Sequence, residues 1–187
     1  MRDTTISPLE EHHVQHLRQT WMQDVVSNEE LPEAAYERGI AWVEDVHAGR
    51  VSTQNICVHG VFDEDGNIVA VFDLVKARPQ LPGGFFKILS MMTCPSLDLN
   101  GIDGKREPDR WAEAIDGLGE AVASVIIHSL DLLEEHPNAR KVKFYASGGV
   151  TLRMLERSFG AIEQQVFDSV GFETNVYGNW AEFVRPL

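Results

Sequence analysis

Two strand-like runs separated by one long helical segment restrict the possible folds of this chain more than any other feature. The runs are FFKILSMMT, at residues 85–93, and KVKFYAS, at residues 141–147. The segment from Asp109 to Glu135 contains VASVIIHSLDLL, which is apolar on most sides of a helix and predicts a buried one. Parallel neighbouring strands need a crossover of about a dozen residues or more. The sequence therefore predicts two parallel strands joined by a helix.

The N-terminal half predicts one strand and two helices. Residues 4–9 have the pattern of a short strand. We expect the first helix to follow directly, with Ser7 as its N-cap and Pro8 in its first turn. A second helix is expected from Pro32 to about His47, because its apolar residues recur at helical spacing. The long helix later in the chain is expected to begin at a capping Asp109.

A β-hairpin is predicted in the middle of the chain. The runs NICVHGVF and NIVAVFDLV are rich in strand-forming residues and flank an Asp65-Gly66 turn. Two further strand-like runs follow near the C-terminus, the last within WAEFVRPL. With a short helix expected after residue 147, the predicted order is β-α-α-β-β-β-α-β-α-β-β.

Composition narrows the class of protein. A chain of 187 residues that is 43% hydrophobic is long enough for one folded domain, and no apolar run approaches the roughly 20 residues of a membrane span. The N-terminus is too polar for a signal peptide, so we expect a soluble, cytoplasmic protein. Cys57 and Cys94 belong to no metal-binding or disulfide pattern, which favours a reducing compartment. The net charge of −13 argues against nucleic-acid binding and suits a cationic substrate.

The C-terminal third carries a family resemblance. The strand at residues 141–147, the Gly148-Gly149 break, the amphipathic stretch VTLRMLERS and the Phe159-Gly160 pair resemble the closing third of the GCN5-related N-acetyltransferase (GNAT) fold. The predicted order of elements extends this resemblance over nearly the whole chain. It implies a single α/β (α+β) domain at residues 1–187, with a mixed central sheet of six to seven strands flanked by helices on both faces.

The same resemblance implies a reaction and a donor. GNAT proteins transfer an acyl group from acyl-CoA to an amine, and their two central strands splay apart to hold the pantetheine arm. This chain is therefore expected to be an N-acetyltransferase that uses acetyl-CoA and takes an amine of a small molecule or protein as acceptor. The resemblance also implies that backbone N–H groups near Met92 and Thr93 stabilise the oxyanion.

The phosphate-binding loop of the family is replaced here by a different pattern. Family members usually have Gln/Arg-x-x-Gly-x-Gly/Ala at the start of the crossover helix, whereas this chain has Gly101, Gly104, Lys105 and Arg106, followed by acidic residues. One interpretation is a divergent cradle for the CoA phosphates. The other is a loop that merely precedes a helix with ordinary acidic residues in its first turn.

The family's usual general acid is also missing, because alignment on the Phe-Gly pair places Glu156 where a tyrosine is common. Ser147 or Ser158 is a candidate substitute for the acid. The candidate bases are Glu156, His59 and Asp73. His59 and Asp73 each have a structural alternative, since a strand histidine is often a packed sheet residue and an acid within a strand often faces solvent.

Two classes of function remain open. The first is the acyltransferase. The second is a GNAT-like scaffold without catalysis, because small acetyltransferase-like proteins of tailed phages, virion proteins among them, look similar around MLERSFGAIEQQ. That reading would place the chain in a virion. No metal site is expected, since His12 and His16 lie on one helical face without a third ligand.

Overall fold

The central feature of the fold is a mixed β-sheet. The computed structural model describes residues 4–51, 55–146 and 172–185. Within these ranges the strands are β1 (Thr5–Pro8), β2 (Ile56–Phe62), β3 (Ile68–Ala77), β4 (Gly84–Thr93), β5 (Ala139–Tyr145), β6 (Glu173–Tyr177) and β7 (Trp180–Val184). They form a seven-stranded sheet in the order β1-β2-β3-β4-β5-β7-β6.

Helices flank this sheet. The described α-helices are α1 (Glu11–His16), α2 (Met22–Ser27), α3 (Glu33–His47) and α4 (Pro108–Glu135). A π-helical turn, Leu17–Trp21, joins α1 to α2, and two 3₁₀ turns, Pro95–Leu97 and Leu99–Gly101, follow β4. The predicted mixed α/β architecture is confirmed.

The predicted parallel pair is present. β4 pairs with β5 in parallel, from Phe85 opposite Lys141 to Ile88 opposite Phe144, and α4 lies between these strands in the sequence. The other pairs with a described register are antiparallel: β1 with β2, β5 with β7, and β6 with β7.

The predicted hairpin turn joins β2 to β3, which are neighbours in the sheet. Gly66 has a φ of 81°, a left-handed conformation that favours glycine. The Asp63 carboxylate closes the turn, because its Oδ1 accepts hydrogen bonds from the backbone N–H groups of Asp65 and Asn67 at 3.1 and 2.7 Å. The Asp-Gly signal in the sequence therefore marked the turn correctly.

The chain divides into two compact units, the first of which comprises Met1–Phe72 and Met91–Ala121. Its core is apolar and includes Leu17, Trp21, Val25, Tyr36, Ile40, Val43, Phe62 and Val71. Arg18, on the π-helical turn, joins that turn to α3: its Nε and Nη2 donate to Glu44 at 2.8 Å each, and its Nη1 donates to Glu37 at 2.6 Å.

The second unit comprises Asp73–Ser90 and Val122–Leu187. Its fully buried side chains include Phe86, Ile126, Leu133, Val142 and Phe183. The Phe144 and Phe183 rings meet edge to face, with centroids 5.8 Å apart. Alternation along β5 explains the pattern, because Val142 and Phe144 are buried while Lys141 and Lys143 lie on the opposite face.

Three boundaries differ from the prediction. Ser7 and Pro8 belong to β1, where they lie opposite Gly60 and His59 of β2, so neither begins a helix. The helix starts at Glu11 instead, after Glu10 as N-cap. Strand pairing has overridden a local capping pattern.

The long helix begins at Pro108, so Asp109 lies in its first turn and is not its cap. The strand predicted at 141–147 is β5, which starts at Ala139 and ends at Tyr145. The short helix predicted after residue 147 lies outside the described residues. Among those that are described, no helix is both long enough and apolar enough to cross a bilayer.

Candidate active site

A stretch of β4 in the second unit is exposed and lies just past the last described pair with β5. β4 is an interior strand, yet its described pairing with β5 stops at Ile88 opposite Phe144. Phe86 and Ile88 are buried, whereas the next two residues, Leu89 and Ser90, are exposed. Side chains on an interior strand are normally covered. We call this exposed stretch, Leu89 and Ser90 just past the last described pair, the opening beside β4.

Asp73 of β3 is connected to this opening through Ser90. Its carboxylate is buried, with 6% of the residue exposed, and its Oδ2 accepts a hydrogen bond from Ser90 Oγ at 2.5 Å. The distance is typical of a hydroxyl that donates to an ionised carboxylate. The sequence left two roles open for Asp73, and the structure places it away from solvent with a hydroxyl beside it.

His59, another candidate base, is a packed residue of β2 in the first unit. Only 7% of it is exposed, and its ring stacks on Phe72 with centroids 5.5 Å apart. These contacts match the structural alternative given for a strand histidine. Ser147 and Glu156 lie outside the described residues, so their roles stay predictions.

The end of β4 is held by α3 within the first unit. The Tyr36 hydroxyl donates to the Thr93 carbonyl oxygen at 3.0 Å and lies 3.1 Å from Asp98 Oδ2. Burial, followed by the nearby Asp98 charge, raises the pKa of Tyr36 well above its ordinary value, so the hydroxyl keeps its proton. Met92 packs against Gly39, where an added Cβ would lie only 2.8 Å from the Met92 sulfur. The backbone predicted to serve the oxyanion is therefore positioned by helix α3.

The glycines of the predicted phosphate loop accommodate protein side chains. A Cβ at Gly101 would lie 2.7 Å from a Leu31 methyl carbon, and the Asn28 amide donates to the Gly101 carbonyl at 3.3 Å. A Cβ at Gly104 would lie 2.9 Å from the Trp111 ring. Packing thus accounts for both glycines, and their contact with CoA stays a prediction.

Asp103 accepts hydrogen bonds from several N–H groups of the same loop. Its Oδ1 accepts from the Lys105 backbone N–H at 3.0 Å, and its carbonyl accepts from the N–H groups of Arg106 and Glu107 at 2.9 and 2.8 Å. Its other carboxylate oxygen pairs with Arg106 Nε at 3.2 Å. Lys105 and Arg106 are exposed, so both cations are accessible to an anion that competes with Asp103.

A cleft of about 190 Å³ lies within the first unit, lined by Thr4, Asp63, Val69, Cys94, Ser96, Leu97, Gly117, Glu120 and Ala121. The Cys94 sulfur is 3.1 Å from the Ser96 hydroxyl. Burial raises the pKa of Cys94, which keeps the thiol protonated near neutral pH.

Sequence reasoning missed Ser90 and Tyr36. A signal for Ser90 was present, because Asp73 and Ser90 each interrupt an otherwise apolar strand. A carboxylate buried within a strand is expected to have a hydrogen-bond partner, since an unpaired one is costly, and a hydroxyl on a neighbouring strand is a suitable donor. Tyr36 had no such signal, because a tyrosine at helical spacing fits an apolar core equally well.

Comparisons with known proteins gave matches only among solved structures. No protein-family model and no curated protein matches the chain. A spermidine N-acetyltransferase from Vibrio cholerae, solved with CoA and spermine, matches with a TM-score of 0.51 and 11% identity over 97% of this chain and 95% of that chain.

Two further matches extend over similar lengths. A structure described as histone acetyltransferase HPA2 and related acetyltransferase, from Corynebacterium glutamicum, has a TM-score of 0.52 and 12% identity over 100% of this chain and 98% of that chain. A mutant of KacT has a TM-score of 0.53 and 11% identity over 98% and 95% of the two chains. At these identities the likeness concerns architecture. Together with the parallel β4–β5 pair, it identifies the fold of this chain as that of the GCN5-related N-acetyltransferases, in a divergent form.

Proposed function

We propose that this protein is an acyl-CoA-dependent N-acyltransferase that moves an acetyl group from acetyl-CoA to an aliphatic amine. The observation that carries the proposal is the opening beside β4, where the described pairing with β5 ends at Ile88 and the next two residues are exposed. A sheet that closes over all its strands has no room there for a ligand. The GNAT fold supports the same reading, because its members are acetyltransferases.

The residues of this chain supply parts of what acyl transfer needs. The reaction requires a base to take a proton from the acceptor ammonium and donors to stabilise the oxyanion. Asp73 is the proposed base, since its carboxylate lies behind Ser90. The proposed oxyanion donors are backbone N–H groups of Met92 and Thr93, on the strand end that Tyr36 holds.

The loop residues fit a CoA donor in part. Lys105 and Arg106 are exposed cations that are available to phosphate groups. The backbone N–H groups beside them already donate to Asp103. We therefore propose that the side chains of Lys105 and Arg106 hold the donor, together with backbone at Gly101 and Gly104.

The acceptor is proposed to be cationic. A net charge of −13 attracts ammonium groups and raises their local concentration. The V. cholerae structure was solved with spermine, an aliphatic polyamine. A lysine side chain of a protein has the same chemistry. The free thiols of Cys57 and Cys94 suit the reducing cytoplasm, where we propose that the protein acts.

A second function is favoured by one specific observation. Because Asp103 already accepts from the donors of the loop at 101–107, an anionic ligand would have to displace it. A chain that had lost CoA binding would have no need of free donors there. On this reading the protein is a GNAT-fold binding or structural component, such as a phage virion protein.

Calorimetric titration with acetyl-CoA at low ionic strength distinguishes the two functions. The acyltransferase is expected to release heat on binding, and to liberate free CoA thiol when spermine or a lysine-containing peptide is added. Absence of both heat and a thermal shift at millimolar acetyl-CoA would overturn the acyltransferase and leave the scaffold.

A further inference from the structure

The hydrogen bond between Ser90 and Asp73 crosses from the surface to the interior. Ser90 is exposed on β4, whereas Asp73 is buried, with only 6% of its surface exposed. Ser90 Oγ donates to Asp73 Oδ2 at 2.5 Å, the short end of the range for charge-assisted hydroxyl-to-carboxylate bonds. The serine thus presents one hydroxyl both to solvent and to a buried carboxylate.

The surroundings of Ser90 explain why it is accessible. Side chains of a strand alternate between two faces, so Phe86, Ile88 and Ser90 share a face. The first two are buried, and Ser90 is where that face becomes exposed. It follows the last described β4–β5 pair by two residues. A ligand that enters the opening beside β4 therefore meets the Ser90 hydroxyl.

We propose that Ser90 is a catalytic proton relay between the acceptor amine and Asp73. This inference rests on the proposed N-acyltransferase function. An ammonium flanked by methylene groups does not reach a carboxylate that is buried behind another side chain. A hydroxyl does bridge that distance, because it accepts a proton on one side while it donates its own on the other.

The proton balance of the relay is complete. One N–H proton of the acceptor R-NH₃⁺ moves to Ser90 Oγ as the Ser90 hydroxyl proton moves to Asp73 Oδ2. The serine is unchanged, Asp73 is protonated, and the acceptor is the neutral amine. The amine nitrogen then forms a C–N bond with the thioester carbon and the C–S bond breaks. The second nitrogen proton leaves with the thiolate as CoA-SH, and Asp73 returns its proton to solvent.

Three serine variants test the relay. Ser90→Ala removes the hydroxyl, Ser90→Thr retains one, and Ser27→Ala is a matched control at an exposed serine at the end of α2, whose hydroxyl donates to a backbone carbonyl. Acetyl transfer to spermine is monitored by measuring the CoA thiol that it releases. The Kd for acetyl-CoA is measured by calorimetry. Thermal unfolding confirms that each variant is folded.

The expected defect of Ser90→Ala depends on pH. At about pH 7 its kcat should fall by roughly 10²-fold, the lower end for general base catalysis, with the Kd for acetyl-CoA unchanged. The defect should shrink to a few-fold near pH 9.5, because an alkylammonium with an ordinary pKa of about 10.4 is then increasingly neutral and needs no relay. Ser90→Thr should keep most activity, and Ser27→Ala all of it.

The outcomes separate the relay from the proposed function. Turnover by the wild type combined with equal turnover by Ser90→Ala would overturn the relay alone. A defect that is the same at both pH values would also overturn it, since a purely structural role has no such pH dependence. If the wild type binds no acetyl-CoA and transfers nothing to spermine or a lysine peptide, the acyltransferase fails and the relay fails with it.

Discussion

One buried proton of Tyr36 is shared between two acceptors, because its hydroxyl lies 3.1 Å from Asp98 Oδ2 as well as 3.0 Å from the Thr93 carbonyl. The arrangement connects helix α3 both to the end of β4 and to Asp98, which lies between the two 3₁₀ turns that follow β4. Asp98 in turn accepts from the backbone N–H of Asn100 at 2.9 Å. A single hydroxyl therefore joins three segments of the first unit.

Removal of this hydroxyl by Tyr36→Phe should destabilise the protein by about 1–3 kcal/mol, because two half-buried acceptors lose their donor while the ring remains. Urea unfolding provides the measurement. Tyr145→Phe is the matched control, since Tyr145 is 38% exposed on β5 and should change stability by less than about 0.5 kcal/mol. Equal effects of the two substitutions would contradict the role assigned to Tyr36.

Substitution by alanine should lower the stability of the protein at Gly66 and raise it at Gly119. Neither has a heavy atom within 4 Å of an added Cβ, so only backbone conformation differs between them. Gly66 has a φ of 81°, where an L-residue costs about 1–2 kcal/mol. Gly119 lies inside α4, where alanine is better than glycine by up to about 1 kcal/mol.

Thermal unfolding of Gly66→Ala and Gly119→Ala measures both effects. The melting temperature should fall for the first and rise for the second. A rise or no change for Gly66→Ala would argue that the hairpin turn does not hold its left-handed conformation in solution.

The free energy of unfolding should decrease as the pH falls, in part because His13 becomes protonated. Its Nδ1 accepts a hydrogen bond from the Glu10 backbone N–H at 3.0 Å and must be unprotonated to do so. Burial lowers the pKa of His13, and the neighbouring His12 lowers it further, with ring centroids 3.8 Å apart. A pKa lowered on folding means that the unfolded chain binds the proton first. This contribution is therefore present above about pH 6.5 and is lost as the pH falls through the folded value.

His13→Gln isolates this effect, because glutamine at the third helical position also accepts from the N-cap N–H but does not titrate. The free energy of unfolding is measured in urea at about pH 8 and about pH 5.5. The wild type should lose more stability between the two than His13→Gln does. The same loss in both proteins would remove His13 as the cause.

Binding of acetyl-CoA should depend on the charges of the loop that contains Asp103. Changing Lys105 and Arg106 together to Ala should weaken binding by roughly tenfold at low salt and by less at high salt, because exposed charges are screened. Asp103→Asn should strengthen binding, since the amide still accepts from the Lys105 N–H while the competing charge is gone.

The same titration with His12 and His16 changed to Ala serves as control and should give the wild-type Kd. Weaker binding by Asp103→Asn would show that this carboxylate supports the site instead of competing for it. A wild-type Kd in the Lys105/Arg106 double variant would remove these cations from the donor site.

Much of the fold was predictable because its signals are local. The Asp65-Gly66 turn and the long apolar segment before β5 each leave few alternatives, and both predictions were confirmed. The start of the first helix was wrong for the opposite reason. Ser7 has a capping side chain, but its backbone pairs with Gly60, and no local pattern encodes that partner.

The site was less predictable, because it depends on register between strands. Asp73 was identified as a candidate, yet its connection to Ser90 follows only when β3 and β4 are neighbours. Likewise, Gly101 and Gly104 looked available for a phosphate. Their neighbours Leu31 and Trp111 become apparent only once the helices are in place.

The π-helical turn from Leu17 to Trp21 limits how the N-terminal helices can change in length. Leu17, Trp21 and Val25 all reach the core of the first unit, and the wide turn accommodates one more residue than an α-helix would need there. Deleting a single residue between Leu17 and Trp21 would remove this extra residue and restore regular α-helix. Val25 would then follow Leu17 by about two turns and keep its place on the buried face. The turn should therefore tolerate the loss of one residue, whereas an insertion would rotate the helix beyond it by about 100° and carry Val25 out of the core.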